Sequence, residues 1–374
     1  MPTFQPFEME RMMSKWENVV DYNLSESGVH PVALRELVNE PAVLETFLAT
    51  ELNYPQTNGT LDLREHIAAL YGHGATPDNV LVTVGCAEGN FLALQTLVEA
   101  GDEVVIMLPN YMQIWGIAHN FGLQVKSFQL SQERGWAPDL AELNEVVTPK
   151  TKLIAVCNPN NPTGYILTEP EMAAIVAAAE RVGAWLLADE VYSGAERLTD
   201  TQTPSFWGRY DKVLALNSLS KAYGLPGLRT GWIVGPAAAI DELWSRHEYT
   251  TISTTMLANK LATLALSPQK RPQLIQRTRT YVRRGFDILD GWLESQGDLF
   301  QVIPPQAAAI AFVRYSLDLN STDFVEQLRR EKSVLIVPGD HFGLDHYLRI
   351  SFGPPADYLQ AGLGRIGELL AASR

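Results

Sequence analysis

The stretch SLSKAYGLPGLRTGW (218–232) gathers two hydroxyls, an amine and a guanidinium at the end of an apolar run. Ser218, Ser220 and Lys221 are nearly adjacent, and Arg229 follows the lysine by eight positions. Hydroxyls and the planar fork of an arginine can hold a phosphate. A lysine kept beside another cation and partly desolvated loses basicity and becomes a usable nucleophile. Taken alone, the stretch is equally a solvated loop with an incidental lysine. Five other places carry signals of this kind. CNPNNPTG (157–164) follows an apolar run and makes a rigid turn that can aim an amide into a cleft. LLADEVYSG (186–194) closes an apolar run with Asp189 and Glu190. A carboxylate buried there is costly without a cation or a ring N–H, unless it caps a helix or reaches the surface. VTVGCAEGN (82–90) reads as strand, glycine turn and helix start, where backbone N–H groups suit a phosphate. Tyr111, in LPNYMQ, could stack on a flat ring, although a packed loop tyrosine is the commoner case. Arg349, inside YLRISFG, is expensive to bury unless it meets an anion such as a substrate carboxylate.

The elements that must position these residues are short strands alternating with helices. Nearly continuous apolar runs occur at 80–84, 103–107, 152–157, 184–188, 212–216 and 231–235. Such runs suit strands covered on both faces of a mainly parallel sheet. Helices are expected over 87–99, ending before Gly101 as a C′ glycine, and over 169–181, which begins with acids and is rich in alanine. An amphipathic helix is expected around 270–295. The alternation predicts a doubly wound α/β domain. The final third differs: runs at 308–315, 334–339 and 347–353 with a helix near 322–331 read as a small α+β unit. Residues 1–45 show no clear sheet pattern and are expected to pack with that unit. The expected division is 1–45 as an N-terminal segment, 46–280 as the large domain and 281–374 as the small domain.

Composition bounds the function. The chain has 374 residues, 46% hydrophobic and 19% charged, with a formal net charge of −14. That is a globular balance, and the acidity argues against binding a nucleic-acid backbone. Two cysteines cannot make a disulfide framework, and no leader or membrane span is visible, so a cytoplasmic protein is expected. No metal-ligand spacing and no P-loop is present.

One cofactor accounts for all six signals. Pyridoxal 5′-phosphate (PLP) needs an amine, an acid for its ring nitrogen, a donor to its phenolic oxygen, a stacking partner and a phosphate cradle. At this point the chain resembles the class I/II aminotransferases among the fold type I PLP enzymes, over nearly its whole length. The order Tyr54, the turn at 85–88, Tyr111, NPTG, Asp189 with Tyr192, SLSK, Arg229 and Arg349 is that family's order. The resemblance implies a large PLP-binding domain with a mainly parallel doubly wound sheet and a small α+β domain. It implies Lys221 as the Schiff-base lysine and proton carrier, and Asp189 on the ring nitrogen. Asn161 and Tyr192 would bond the phenolic oxygen, and Tyr111 would stack on the ring. Cys86, Ala87, Ser218, Ser220 and Arg229 would hold the phosphate, and Arg349, with Asn161, the substrate carboxylate. Tyr54 matches a position that reaches the partner subunit's cofactor, so a homodimer with shared sites is implied.

The chain departs from the plain family pattern in YNLSESGVHPVALREL (22–37). This segment looks like that of the capreomycidine synthase group and of the PLP-dependent arginine oxidases, in which a histidine takes part in catalysis. Glu26, Ser27 and His30 would then face the substrate side chain: a carboxylate can hold a guanidinium, and a histidine can move protons beyond the α-carbon. The plainer alternative is a loop and helix cap with an exposed histidine. Glu88 is a further candidate, with first-turn stabilisation of its helix as the alternative. The other histidines read as packed or solvated. The leading expectation is amino-group exchange between an L-α-amino acid and a 2-oxo acid. The second is cyclisation, elimination or O₂-dependent oxidation of arginine or a similar amino acid. A regulatory domain without turnover ranks last, because it needs a DNA-binding segment that the sequence does not show.

Overall fold

Strands covered on both faces need unbroken apolar side chains. All six apolar runs supply strands of one seven-stranded sheet in the computed structural model, which describes residues 4–372. Thirteen strands are described in chain order. They are β1 (Tyr22–Asn23), β2 (Val80–Thr83), β3 (Glu103–Leu108), β4 (Gln124–Gln129), β5 (Thr151–Cys157), β6 (Trp185–Asp189) and β7 (Val213–Ser218). Then follow β8 (Gly231–Val234), β9 (Phe300–Val302), β10 (Ile310–Tyr315), β11 (Val334–Leu335), β12 (Val337–Pro338) and β13 (Tyr347–Ser351). The large sheet runs β2-β8-β7-β6-β5-β3-β4, parallel except that β8 opposes both its neighbours. The parallel strands therefore deliver the residues that follow them to one edge, where ligands bind in open α/β sheets.

Sequence reading passed over β4, QVKSFQ. It is an edge strand paired to β3 alone, and within it only Phe128 is fully buried, so its polar alternation gives no continuous run. Gly101 is not the stop of the helix before it. That helix, Gly85–Leu97, closes on an extended Val98, and Gly101 (φ +91°) instead makes the turn into β3, its N–H donating to the Gly122 carbonyl at 2.9 Å.

The small unit is an antiparallel sheet β12-β13-β10-β9. The N-terminal segment joins it through β1, which lies parallel to β11 in register Tyr22 with Val334. Only two residues pair, which explains the missing sheet pattern. The helix Arg271–Ser295 passes between cores: Leu274 and Ile275 pack with the large domain, and Val282, Phe286 and Leu289 with the small one. The expected boundary at 280 thus falls inside one continuous helix. Among the described residues no helix is long and apolar enough to cross a membrane, and no group of His, Cys, Asp or Glu side chains could hold a metal.

Candidate active site

A cavity of about 770 Å³ opens at the carboxyl edge of the large sheet, against the small domain. It brings together Glu26, Ser27, Cys86, Ala87, Tyr111, Asn161, Asp189, Tyr192, Ser218, Ser220, Lys221, Arg229 and Arg349. Asp189 is the last residue of β6 and is buried. Burial pushes its carboxyl up to about 6, against the Val191 N–H, Asn90 and Lys221. Its Oδ1 accepts from the Val191 N–H at 3.2 Å, and the carboxylate lines the cavity. Lys221 follows β7 by three residues, and its Nζ lies 3.8 Å from Glu26 Oε2. The segment carrying Glu26 passes directly over it: a Cβ at Gly28 would sit 3.7 Å from the lysine side chain.

At one end of the cavity the helix Gly85–Leu97 meets Arg229. Gly85 has φ +73°, and a Cβ there would lie 2.5 Å from the Arg229 guanidinium. Arg229 itself holds a left-handed φ of +50°, strain that a non-glycine residue carries only where the surroundings enforce it. Its Nη1 donates to the Pro226 carbonyl at 3.0 Å and to Ser220 Oγ at 3.4 Å, and the Ser220 N–H donates to Ser218 Oγ at 3.2 Å. Two hydroxyls, a guanidinium and a helix N-terminus converge there, an arrangement suited to a phosphate.

At the other end Arg349, in β13, is 1% exposed. Its Nη1 donates to Asn161 Oδ1 at 3.1 Å and its Nη2 to the Ser25 carbonyl at 2.5 Å. Its Nε is buried with no partner. An unmatched donor on a buried guanidinium is costly and points to an anionic ligand. Burial also pushes the Tyr192 phenol up, with Arg349 and Ser27 opposing, so Tyr192 stays a hydroxyl donor. Both thiols are likewise pushed up by burial, which argues against Cys86 or Cys157 as a nucleophile. Tyr111 is fixed by its hydroxyl, which donates to Glu10 Oε1 at 2.8 Å.

Three expected residues lie elsewhere. His30 does not line the cavity. Its backbone is pinned by the Gly353 carbonyl and by Arg277, and its exposed ring faces Tyr281 with 6.2 Å between centroids. In this arrangement His30 stands where the plainer alternative puts it, and the cavity lining gives its catalytic role no support. Tyr54 is 82% exposed, beside the stretch 251–257 and away from the cavity of its own chain. Glu88 turns away from the cavity. It accepts from the Val84 N–H at 2.6 Å, from Thr251 Oγ1 at 2.7 Å and from Thr250 Oγ1, and meets His247 Nδ1 at 3.1 Å. Burial alone would raise its pKa, but His247, Thr250, the Val84 N–H and Thr251 together bring it down to about 2. A depressed carboxyl contributes stability above its unfolded pKa that disappears as pH falls through the folded value. Glu88→Ala should therefore cost about 2–3 kcal/mol in urea unfolding at pH 7, and the gap should narrow below about pH 4. A cost under about 0.5 kcal/mol at pH 7 would contradict this structural role.

The cavity also contains residues that sequence reading missed. The N-terminal helix Glu8–Trp16 lays Met9 and Met13 into the core and turns Phe7, Glu10 and Glu17 toward the site. The available signal was the pair of methionines four apart flanked by acids seven apart, a helical stripe.

Residues 35–366 match the family model described as aminotransferase class I and II. The chain belongs to the aminotransferase class I and II family. Capreomycidine synthase of Streptomyces vinaceus is similar at 33% identity, over 93% of this chain and 89% of that protein. An aspartate aminotransferase of Pyrococcus horikoshii is similar at 26%, over 98% and 94%. Among solved structures, a PLP-dependent aminotransferase from Streptococcus suis superposes with TM-score 0.92 at 32% identity, covering 99% of this chain and 98% of that one. The PLP-dependent cyclase OrfR superposes with TM-score 0.89 at 26%, covering 100% and 99%. The fold is therefore fold type I, and the family of aminotransferases to which the chain belongs is PLP-dependent. The residues present fit that cofactor: the buried acid Asp189 suits a protonated ring nitrogen, and the tight Gly85–Arg229 approach with Ser218 and Ser220 suits its phosphate.

Proposed function

We propose that the chain is a PLP-dependent enzyme acting on an L-α-amino acid, most simply an aminotransferase exchanging the amino group with a 2-oxo acid. One observation carries this reading: a single cavity contains Lys221, the buried carboxylate of Asp189 and the unpartnered guanidinium nitrogen of Arg349. PLP, when bound, supplies an electron sink for charge left on the α-carbon. Ser218, Ser220, Arg229 and the N–H groups of Cys86 and Ala87 would hold its phosphate. Asp189 would meet its ring nitrogen, Asn161 and Tyr192 its phenolic oxygen, and Tyr111 its face. Arg349 orients the amino acid by its carboxylate. Lys221 anchors the cofactor and moves the proton at the α-carbon. Aligning that C–H bond with a resident base converts an encounter into a positioned step. Two chains would share sites, with Tyr54 of each reaching the partner's phosphate. Leu52, Tyr54 and Leu257, all exposed around one groove, support such a homodimer. The two free thiols suit a reducing compartment such as the cytoplasm.

A second reading keeps the site and changes the outcome: cyclisation, elimination or oxidation of an arginine-like amino acid. The approach of Glu26 to Lys221 and the placement of Ser27 in the cavity favour it, and two similar proteins are named as capreomycidine synthase and a cyclase. Incubating the holoenzyme in air with single L-amino acids and no 2-oxo acid separates the two. Conversion of the cofactor to its amine form that stops after one turnover supports amino transfer. Many turnovers with the aldehyde form retained support side-chain chemistry. No response to any amino acid would contradict both.

A further inference from the structure

Two side-chain amides link the phosphate end of the cavity to its acid. Asn90 lies on the helix Gly85–Leu97, is 1% exposed and lines the cavity. Gln113 begins the helix Gln113–Asn120 and lines it too. Gln113 Nε2 donates to the Ala87 carbonyl at 3.1 Å, and a carbonyl can only accept. That turns Gln113 Oε1 toward Asn90, whose Nδ2 donates to it at 3.0 Å. The Asn90 side chain also hydrogen-bonds the Asp189 carboxyl. Both neighbours therefore take N–H groups from Asn90, and its Oδ1 is left buried with no partner. A buried oxygen without a donor is costly, and such a group in a folded protein calls for an explanation. The explanation here is direction: Gln113 holds the Asn90 amide so that its N–H side faces the acid. Neither amide has a part in the proposed function.

We infer that Asn90, oriented by Gln113, is a positioning residue: it steadies the Asp189 carboxylate as the acceptor that a protonated ring nitrogen needs. The inference rests on the reading of this cavity as a PLP site. It holds for either reaction considered above, because both use the same ring. Burial works against the charged form of Asp189 and pushes its carboxyl up to about 6, against the Val191 N–H, Asn90, Lys221 and Cys86. Around Asp189 stand Lys221 after β7, Cys86 on its helix, Cys157 in β5, Tyr111 after β3, and Glu190 and Tyr192 after β6. Burial pushes both thiols, both phenols and Glu190 up, so of these groups only Lys221 brings a positive charge. Hydrogen bonds to the charged form must supply the rest. Without Asn90 the Asp189 carboxyl should take up its proton at a higher pH. The acceptor is then lost at a higher pH too, so affinity for PLP should fall selectively on the acid side.

The test titrates the full chain with PLP from about pH 5.5 to about pH 8, reading the dissociation constant from cofactor absorbance. Wild type is compared with Asn90→Leu, Gln113→Leu and the double variant. Asn90→Leu should bind PLP within about twofold of wild type at the alkaline end and roughly eightfold more weakly at the acid end, the pattern of an Asp189 pKa raised by about one. The PLP phosphate, its ring nitrogen and Glu190 titrate in every protein compared, so the ratio to wild type cancels them. Gln113→Leu leaves Asp189 untouched and should show the same acid-selective loss at about threefold. The double variant should match Asn90→Leu, because Gln113 acts through Asn90. An amide that only fills space would weaken binding equally at every pH. A ratio to wild type that does not change with pH in folded Asn90→Leu, or losses that multiply in the double variant, would overturn the inference. Circular dichroism verifies folding. If Asn90→Leu does not fold, Gln113→Leu decides alone: an acid-selective loss supports the inference and a flat ratio overturns it. If wild type itself does not bind PLP, the proposed function falls and the inference with it.

Discussion

Lys221→Ala should reduce turnover by at least about 10³-fold and leave PLP bound without a covalent link. The size of the effect follows from position. Lys221 is the one lysine lining the cavity among the described residues, and it lies between Glu26 and the end of β7. On the proposed reading, removing it takes away the amine that would anchor the cofactor and the group that would carry the α-proton. The phosphate cradle does not depend on it: Ser218, Ser220, Arg229 and the start of the helix Gly85–Leu97 hold one another through contacts that leave out the lysine. Affinity for PLP should thus persist, within roughly one to two orders of magnitude, while turnover is lost. Stability should change little, because the Lys221–Glu26 pair is partly solvated and such pairs contribute about 0–1 kcal/mol. Turnover within tenfold of wild type would remove Lys221 from the reacting atoms.

Arg349→Gln should lower kcat/KM by roughly a hundredfold or more while the cofactor stays bound, because a desolvated charge pair lost from one side costs about 2–5 kcal/mol. The guanidinium cannot be replaced by a point charge. Nη1 donates to Asn161 and Nη2 to the Ser25 carbonyl, so the fork is already oriented, and Nε stands without a partner. Arg349→Lys should therefore rescue little, since an ammonium cannot satisfy Asn161, Ser25 and a substrate carboxylate in this geometry. The loss should appear mostly in KM if Arg349 binds ground state and transition state alike. Arg349→Gln and Arg349→Lys variants that fold and keep wild-type kcat/KM would refute the carboxylate assignment.

Much of this site is legible in the sequence because parallel strands buried on both faces announce themselves as apolar runs, and the chemistry follows their ends. Asp189 closes β6, Ser218 closes β7, and Asn161 and Tyr111 follow β5 and β3 within a few residues. Most of the thirteen expected residues that meet in one cavity do so for that reason, while Glu26 and Ser27 come from the N-terminal segment and Arg349 from β13 of the small sheet. What escaped is tertiary in origin. Glu10 and Glu17 reach the cavity only because Met9 and Met13 dock their helix over Tyr111, a contact more than a hundred residues away along the chain. His30 shows the opposite case: it lies two positions beyond Gly28, whose backbone crosses Lys221, yet its ring is exposed and its backbone bonds Gly353 and Arg277. Glu88 has the right address but faces His247 and the Thr250–Thr251 pair, which a linear motif does not reveal. The polar edge strand β4 hides because only one side chain of its six is fully buried.

If Lys221 anchors PLP in this cavity, the bond between them can be trapped chemically. The direct measurement is borohydride reduction of the holoenzyme, followed by proteolysis and mass spectrometry of the peptides. A phosphopyridoxyl mass increment is expected on the peptide containing Lys221, at close to one per chain, and none in Lys221→Ala. An increment on another lysine, or none on wild type saturated with PLP, would contradict it.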